Sequence, residues 1–269
     1  MAEQRLAEAL LLNQDELHYL LRLADRSSML GLDPKSIAGP APKSGQQSLL
    51  SRGLIQAGKD GATEQLQGAA LLVLTPVLFP KRALMAARIQ PGVGSQTVVL
   101  YANGPGYVLH SMAKGGDHSF QPLTAPAQLI PALLEWFPIT GMQGVADQAI
   151  IASAVLEKCR QLAQSGEPDK AFQSILHVPL DDAQKRLLIK AMQQVKVSGS
   201  FALVEFSRNE PADVETLAVV TDGDTAWAFT VPPQAPKDSY RVRRTGDDFP
   251  LVLERMCDWL TGKPPQIAA

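Results

Sequence analysis

The first helical pattern of apolar residues begins after residue 13. Asn13 and Glu16 have the spacing of a capping box, in which each side chain bonds the backbone of the other residue. Leu17, Leu20 and Leu21 follow at intervals that place them on one side of a helix. The pattern therefore predicts an N-terminal helix with one apolar face.

The last helical pattern lies near the other end of the chain. Phe249, Leu253, Met256 and Leu260 are spaced four, three and four residues apart, so a helix aligns them in a single apolar stripe. Such a stripe must pack on another element. A β-sheet is the expected partner.

Between these helices the pattern predicts two groups of four strands, because apolar runs are bounded by turn residues. They cover residues 83–89, 97–102, 107–112 and 119–123, and then 200–206, 216–221, 225–231 and 240–244. Asn103 and Gly104 predict a type I′ hairpin turn, which needs positive φ at both central residues. Because the strands cluster between helices, the predicted fold class is α+β.

Further helices are predicted over residues 46–54, 63–74, 131–137, 145–162, 168–176 and 181–195. Pro76 and Pro80 are expected to separate the second of these helices from the first strand. Residues 33–45 are rich in proline and glycine, which disfavour regular structure. They predict a linker or an ordered surface loop.

Two parts of the chain resemble each other at a fixed spacing. The octapeptide at residues 130–137 is similar to that at 249–256, and Asn103-Gly104 matches Asp222-Gly223, both 119 positions later. We therefore expect two pseudo-symmetric repeats, each a four-stranded antiparallel sheet flanked by helices. The expected organisation is N-terminal helices and a linker (1–61), a first repeat (62–138), bridging helices (139–179), a second repeat (180–261) and a tail (262–269). Whether the two sheets join edge to edge or pack face to face stays open.

Composition excludes some partners and compartments. The formal charge of −2 gives no electrostatic reason to expect a nucleic acid partner. The longest weakly polar stretch, residues 68–80, contains Pro76 and is shorter than the roughly 20 residues that cross a bilayer. Acidic residues among the first leucines argue against a signal peptide, and Cys159 and Cys257 lack paired spacing. A cytoplasmic protein without a membrane span is predicted.

Glycine and aspartate motifs are interpreted as turns. Gly104-Pro105-Gly106 lacks the third glycine and the following helix of a dinucleotide site, and residues 92–94 lack the lysine of a phosphate loop. Asp222-Gly223-Asp224 lacks the later oxygen ligands of a calcium loop. No cofactor and no metal is therefore predicted.

The four histidines, His18, His110, His118 and His177, lack metal-ligand spacing and are expected to be surface or core residues. His110, Ser111 and Asp117 could be drawn as a catalytic triad, but the chain has no nucleophile-elbow motif. No catalytic residue is predicted. Whether the chain is an enzyme stays open.

Two strands carry side chains that could contact a partner. In the strand at residues 240–244, Arg241 and Arg243 share a face, which predicts a solvated face, an edge strand or a contact with an acidic partner. Trp227 and Phe229 also share a face. They predict core packing if helices cover them and an interaction surface if not.

The segment at residues 49–61 resembles the leucine-rich helix and glycine turn of the EspG family of type VII secretion chaperones. The apolar helix and strand after it, and the hairpin at residues 98–104, also fit this family. The resemblance covers most of the chain. It implies a cytosolic, non-catalytic protein that grips the helical tip of a secretion substrate and keeps its apolar end from aggregating. It assigns no contact residues by position.

Three functions follow as hypotheses. The first is an adaptor or chaperone whose partner is another protein with an exposed apolar helix. The second is a small-molecule-binding protein or enzyme with a site between the two halves. The third is a structural component of a larger assembly.

Overall fold

The computed structural model describes residues 9–57, 64–113, 115–207, 210–232, 236 and 238–263. Within them the helices are α1 (Gln14–Leu23), α2 (Lys43–Ser51), α3 (Gly68–Leu78), α4 (Ile130–Trp136), α5 (Ser153–Gln164), α6 (Pro168–Ser174), α7 (Asp182–Gln193) and α8 (Phe249–Leu260). The strands are β1 (Leu10–Leu12), β2 (Ile55–Ala57), β3 (Glu64–Leu66), β4 (Arg82–Gln90), β5 (Gly94–Asn103), β6 (Gly106–Met112), β7 (His118–Leu123), β8 (Gln148–Ala152), β9 (Val197–Ser207), β10 (Glu210–Thr221), β11 (Ala226–Thr230) and β12 (Ser239–Thr245).

Ten of these strands form one antiparallel sheet in the order β1-β7-β6-β5-β4-β9-β10-β11-β12-β8, and β2 pairs with β3. The mixed helix-and-sheet class predicted from the sequence is what the structure shows. The two predicted sheets join edge to edge through the β4–β9 pair. The expected four strands per half become five, because β1 and β8 each add an outer strand. Both are too short to give a clear alternating pattern.

One face of the sheet is covered by α4 and α8. Their apolar residues form a central cluster with the inward side chains of β4, β5, β9, β10 and β11. In it, the Phe201 ring centroid lies 5.1 Å from that of Phe137 and 5.9 Å from that of Phe249. Gly199 makes this approach possible, since a Cβ there would lie 2.4 Å from the Phe137 ring. The central cluster therefore draws side chains from both halves of the sheet.

The other face carries two separate helical layers. The first-half layer consists of α1, α2 and α3, and the second-half layer consists of α5, α6 and α7. Helix α3 packs on β5, β6 and β7, whereas α7 packs on β10 and β11. These two helices therefore leave β4 and β9 between them. None of the helices in the described residues is long and apolar enough to cross a membrane.

Two helix predictions are corrected at their starts. The helix predicted over residues 145–162 begins as β8, because Ala149 and Ile151 alternate into the core, and α5 starts only at Ser153. The helix predicted over residues 63–74 begins as β3, while residue 63 lies outside the described residues. Strands of three and five residues are too short to show which period they follow, so sequence alone could not identify them.

Proline and glycine positions bring two further corrections. Helix α3 continues past Pro76 to Leu78. Pro76 has no N–H to donate to the carbonyl of Leu72. Leu72 is 78% exposed, so water can donate to this carbonyl instead. Residues 33–45 contain a 3-10 helix (Pro34–Ile37) and the start of α2.

The first hairpin turn is shifted by one residue from its prediction. Asn103 pairs with Gly106, so the two-residue loop is Gly104-Pro105. Only Gly104 has positive φ, at 59°. Proline fixes a negative φ at the second loop position, so the turn is of the II′ type instead of I′.

The arginine-rich strand and the aromatic strand also have defined places. Strand β12 lies between β11 and β8, so it is not an edge strand. Arg243 is half-buried and forms an ion pair with Asp248. Trp227 is fully buried and Phe229 is 7% exposed, both in the second-half core. The core interpretation of these two aromatic residues is confirmed.

Candidate functional site

A mostly apolar cleft of about 340 Å³ lies between the second-half layer and the sheet. We refer to it as the cleft, and the following residues line it: Ser153, Leu156, Glu157 and Arg160 from α5, Met192 from α7, and Ala218, Val220, Phe229 and Tyr240 from the sheet. The small Ala218 side chain on its floor leaves room below the two helices. The cleft is thus formed by elements of the second half alone.

The floor of the cleft continues along β10 as an open strip. Alternate residues of a strand share a face, so Val214 and Thr216 lie on the same face as Ala218 and Val220. Strand β11 pairs only with Leu217–Thr221, and Val214 is 50% exposed. The strip extends the apolar floor beyond the helices.

The floor also extends sideways across the centre of the sheet. Ser198 pairs with Val220 on one side and with Ile89 on the other, so these three side chains share a face. Ile89 is 57% exposed. The open end of this face, around Ile89 and Ser198, therefore adjoins the cleft.

A charged pair on α5 lies at the rim of the cleft. Arg160 donates to Glu157 at 2.8 Å and 2.6 Å, and Gln161 donates to the same carboxylate at 2.7 Å. The hydrogen bonds from Arg160 and Gln161 lower the pKa of Glu157 to about 2. At neutral pH this carboxylate is ionised and already paired. It can orient a polar group of a partner but is not poised as a general acid.

The sequence did not predict that His110 and His118 would meet. His110 Nε2 lies 3.0 Å from His118 Nδ1, and His118 Nε2 lies 2.9 Å from Gln14 Oε1. The amide oxygen of Gln14 only accepts, so His118 carries its proton on Nε2 and its Nδ1 accepts from His110. This fixes both neutral tautomers. The pair spans β6, β7 and α1 in the first half.

Burial and the neighbouring His118 lower the pKa of His110 to about 3. Burial also lowers the pKa of His118, against a raising effect of Asp117. Both rings are neutral at physiological pH. The signal that could have found the pair is the β6–β7 register, which pairs His110 with Phe120 and leaves His118 as its diagonal neighbour.

The triad drawn from His110, Ser111 and Asp117 is not formed. Consecutive strand residues point to opposite faces, so Ser111 lies on the other side of the sheet from His110. His18 is buried in α1 and His177 is exposed, far apart in the sequence and in different layers. Among the described residues, no group of three metal-ligating side chains is close enough to hold an ion.

Asp222-Gly223-Asp224 forms a turn, as interpreted from the sequence. Asp222 Oδ1 accepts from the backbone nitrogens of Asp224 at 2.9 Å and Thr225 at 2.7 Å. Burial raises the pKa of Asp222, but these bonds and Lys190 outweigh it and hold the pKa below its usual value. The carboxylates thus serve the loop and Lys190.

A second apolar groove of about 360 Å³ lies in the first half. It is lined by Leu20, Leu23, Ala24, Glu64, Gln65, Leu66, Leu71, Leu78 and Phe79. Tyr19 donates to Glu64 at 2.6 Å beside it, and burial and Glu64 raise the pKa of Tyr19 to about 12. Leu71 is 49% and Phe79 43% exposed. An apolar groove is thus present in each half on this side of the sheet.

Comparison with known proteins yields a match at the level of structure. No protein-family model matches the chain. No curated protein matches it either. Among solved structures, it is similar to the Mycobacterium tuberculosis type VII secretion system chaperone EspG5, solved in complex with the PE25-PPE41 dimer. The TM-score is 0.62 at 13% identity, over 93% of this chain and 95% of that one. This likeness shows a shared fold; of the segment that resembled the EspG family, residues 58–61 lie outside the described residues.

Proposed function

We propose that this chain is a non-catalytic adaptor or chaperone that holds a helical segment of another protein in the cleft and on the open strip. The observation that carries the proposal is the apolar floor, which begins under α5 and α7 and continues uncovered along β10. A groove with an exposed apolar floor suits the apolar face of an amphipathic helix. Binding would bury apolar side chains of the partner that would otherwise promote its aggregation.

The dimensions of the site support a side-chain anchor instead of a whole buried helix. A helix with its side chains is about 10–12 Å wide, so a cleft of about 340 Å³ takes only one or two of its large apolar residues. The remaining contact would run over the half-exposed side chains of the strip. Glu157 and Arg160 at the rim would pair with polar residues flanking the anchor.

The fold comparison supports a protein as the partner. EspG5 has the same fold and was solved with a protein dimer. We propose by this likeness that the present chain binds a secretion substrate with an exposed helical tip, and that it does so in the cytoplasm. The shared fold supports this class of partner, and the cleft supports this place of binding.

We also propose that the two halves are copies of one unit, covering residues 62–138 and 180–261. The strand order supports this. From β4 the sheet runs outward through β5, β6 and β7 to β1, and from β9 it runs outward through β10, β11 and β12 to β8. In both halves a four-strand meander is therefore followed by an outer strand from earlier in the chain. Helices α4 and α8, which follow the two meanders, both pack in the central cluster. Superposing Cα atoms of residues 83–137 on 200–260 tests the proposal. Failure to align strands in the same order would reject it.

The function is tested by complex formation with small secreted helical proteins encoded near its gene. Co-expressed partners should co-elute with the chain as a stable complex in gel filtration. Ala218→Trp fills the floor of the cleft, so we expect at least a tenfold loss of affinity by calorimetry, about 1.4 kcal/mol. The melting temperature reports whether the variant is folded.

Leu251→Trp is the matched control, because Leu251 is 48% exposed on α8, on the opposite face of the sheet. It should leave affinity unchanged. Equal affinity of the Ala218→Trp variant and the native chain would place the partner elsewhere. Failure of all neighbouring helical proteins to bind would count against the adaptor function itself.

The small-molecule hypothesis keeps one favourable observation. The cleft volume of about 340 Å³ lies at the lower end of the range of ligand pockets, roughly 300–1,000 Å³. It lies within the second half, whereas the sequence-based hypothesis placed the site between the halves. A library of apolar fragments that raises the melting temperature of the native chain, but not of Ala218→Trp, would favour this function.

A further inference from the structure

The two ends of the ten-stranded sheet differ in what contacts their outer edges. At the β1 end, Arg52 Nη2 donates to the outward carbonyl of Leu11 at 2.8 Å, and Glu16 holds Arg52 at 2.7 Å. At the other end, β8 (Gln148–Ala152) pairs with β12 on one side. Among the described residues, no strand pairs with its other side. An open strand edge can pair with another strand.

A third free edge is present but is blocked. The outer residues of β10 extend past the end of β11. Pro211 lacks a donor, the register shifts between Pro211 and Asp213, and the nitrogen of Val214 donates to Asp213 at 2.9 Å. Proline, a bulge and charged side chains are the usual means of preventing edge pairing. These features block the overhang of β10, and β8 has none of them.

The side chains of β8 also favour pairing. The strand contains neither proline nor a charged residue, and its register with β12 is regular. Ile150 is 50% exposed, while Ala149 and Ile151 are buried against α5 and its neighbours. Isoleucine is among the residues that favour strands. The edge therefore has both an unpaired backbone side and an exposed apolar residue at its centre.

We propose that β8 pairs antiparallel with β8 of a second copy of this chain, about a two-fold axis at Ile150. This axis sets residue 148 of one copy opposite residue 152 of the other, and residue 149 opposite 151. Gln148 then faces Ala152, Ala149 faces Ile151, and Ile150 faces itself. No like charges are brought opposite each other, so the strand is complementary to itself.

The geometry also fits the layers on the sheet. A two-fold axis perpendicular to the sheet keeps the second-half layers of both copies on the same side. Helix α5 begins directly after β8 and packs on that side of the sheet. A five-residue pairing is small, well below the roughly 1,200 Å² of a standard interface. The dimer is therefore a weak one, with a Kd on the order of 10–100 μM.

Sedimentation velocity over about 5–500 μM tests the proposal. The native chain should shift from monomer to dimer across this range. Ile150→Lys places two ammonium groups face to face and should weaken association at least tenfold. Leu11→Lys is the matched control at the β1 edge, where Leu11 is 47% exposed, and it should associate like the native chain.

Ile150→Cys tests the register and does not depend on the lysine variant. The axis brings the two new thiols together, so mild oxidation should give a disulfide-linked dimer, whereas Leu11→Cys should not. Burial raises the pKa of Cys159 to about 11 and of Cys257 to about 12, so neither native thiol competes.

Three outcomes would overturn the proposal: a monomer at the highest concentration, equal association of Ile150→Lys and the native chain, or no disulfide-linked dimer of the Ile150→Cys variant after oxidation. If Ile150→Lys lost binding to a helical protein partner while its self-association stayed unchanged, the edge would be assigned to that partner instead. The cleft is lined by no residue of β8. Failure here therefore leaves the adaptor function standing.

Discussion

The first-half and second-half layers cover the same side of one sheet by different chemistry. In the first-half layer, buried polar groups tie the elements together: Glu16 accepts from Ser48 at 2.6 Å and from Arg52 at 2.7 Å, and Tyr101 donates to the carbonyl of Leu30 at 3.0 Å. The second-half layer is held by apolar packing, with Lys185 donating to the carbonyl of Leu176 at 2.9 Å.

The cleft lies under the apolar-packed helices of the second-half layer, whereas the first-half groove lies beside the hydrogen bond from Tyr19 to Glu64. Directional bonds fix the distance of α1 and α2 from each other and from β1. Apolar side chains fill only the space that they reach. The small side chain of Ala218 leaves space unfilled under α5 and α7, and this space is the cleft. Two halves with the same strand order thus differ in where they leave a surface open.

The largest expected effect concerns what the halves share. Leu253 is fully buried in the central cluster, so Leu253→Asp places an unpaired charge among apolar residues of both halves. We expect a loss of about 4 kcal/mol or more in the free energy of unfolding. The shared cluster predicts that both halves unfold together, as measured by urea denaturation with circular dichroism.

Leu251→Asp is the control, because Leu251 lies on the same helix and is 48% exposed. It should change the free energy of unfolding by about 0.5 kcal/mol or less. A native-like cooperative transition in Leu253→Asp would contradict the packing of the α8 stripe on the sheet.

A smaller effect is expected from the polar ties of the first-half layer. Burial raises the pKa of Glu16, but bonds from Ser48, Arg52 and Asn13 outweigh it and keep the carboxylate ionised. Glu16→Gln keeps the shape but removes the charge that holds Arg52, which is 38% exposed and can regain water. We expect a loss of about 2 kcal/mol in the free energy of unfolding.

Hydrogen exchange locates this effect. Amides of α1 and α2 should exchange faster in Glu16→Gln, whereas amides of α5 and α7 should keep their protection. Lys43→Gln, which removes a charge from an exposed residue of α2, is the control and should alter neither. Faster exchange in both layers would mean that the two layers are not independent.

The smallest effect is a change in pH dependence. The folded pKa of His110 lies near 3, below its unfolded value of about 6.5, so the unfolded chain binds more protons between these values. Stability is therefore lost as pH falls below about 6.5. His110→Gln keeps a donor for His118 but cannot titrate, so the slope between about pH 6 and 4.5 should fall by about 1.4 kcal/mol per pH unit.

Denaturation at several pH values measures this slope. His177→Gln, an exposed histidine of the other half, is the control and should leave it unchanged. An unaltered slope in His110→Gln would show that His110 binds as many protons in the folded chain as in the unfolded chain over this range.

Much of the fold could be predicted where one period dominates a long segment. The stripe from Phe249 to Leu260 predicted α8, and the runs at residues 83–89 and 97–102 predicted β4 and β5 within a few residues. Prediction failed where segments were short. The strand β8 was assigned to a helix, because five residues are too few to distinguish a period of two from one of 3.6.

The candidate site could not be predicted, because its residues carry no motif. Leu156, Met192 and Ala218 lie far apart in the sequence and meet only through packing of α5 and α7 on the sheet. The pairing of His110 with His118 likewise needed the β6–β7 register. The alternation of residues predicted that Trp227 and Phe229 share a strand face. It did not predict that helices cover this face.

The sequence by itself determined the helices with long apolar stripes, the two meanders and the mixed class of the fold, because periodicity is a local property of the chain. Only the tertiary structure decided that the strands form one sheet, that α4 and α8 join both halves in one cluster, and that the cleft and the β8 edge stay open. These depend on contacts between distant residues, and such contacts are set by shape and volume, which a one-dimensional pattern does not contain.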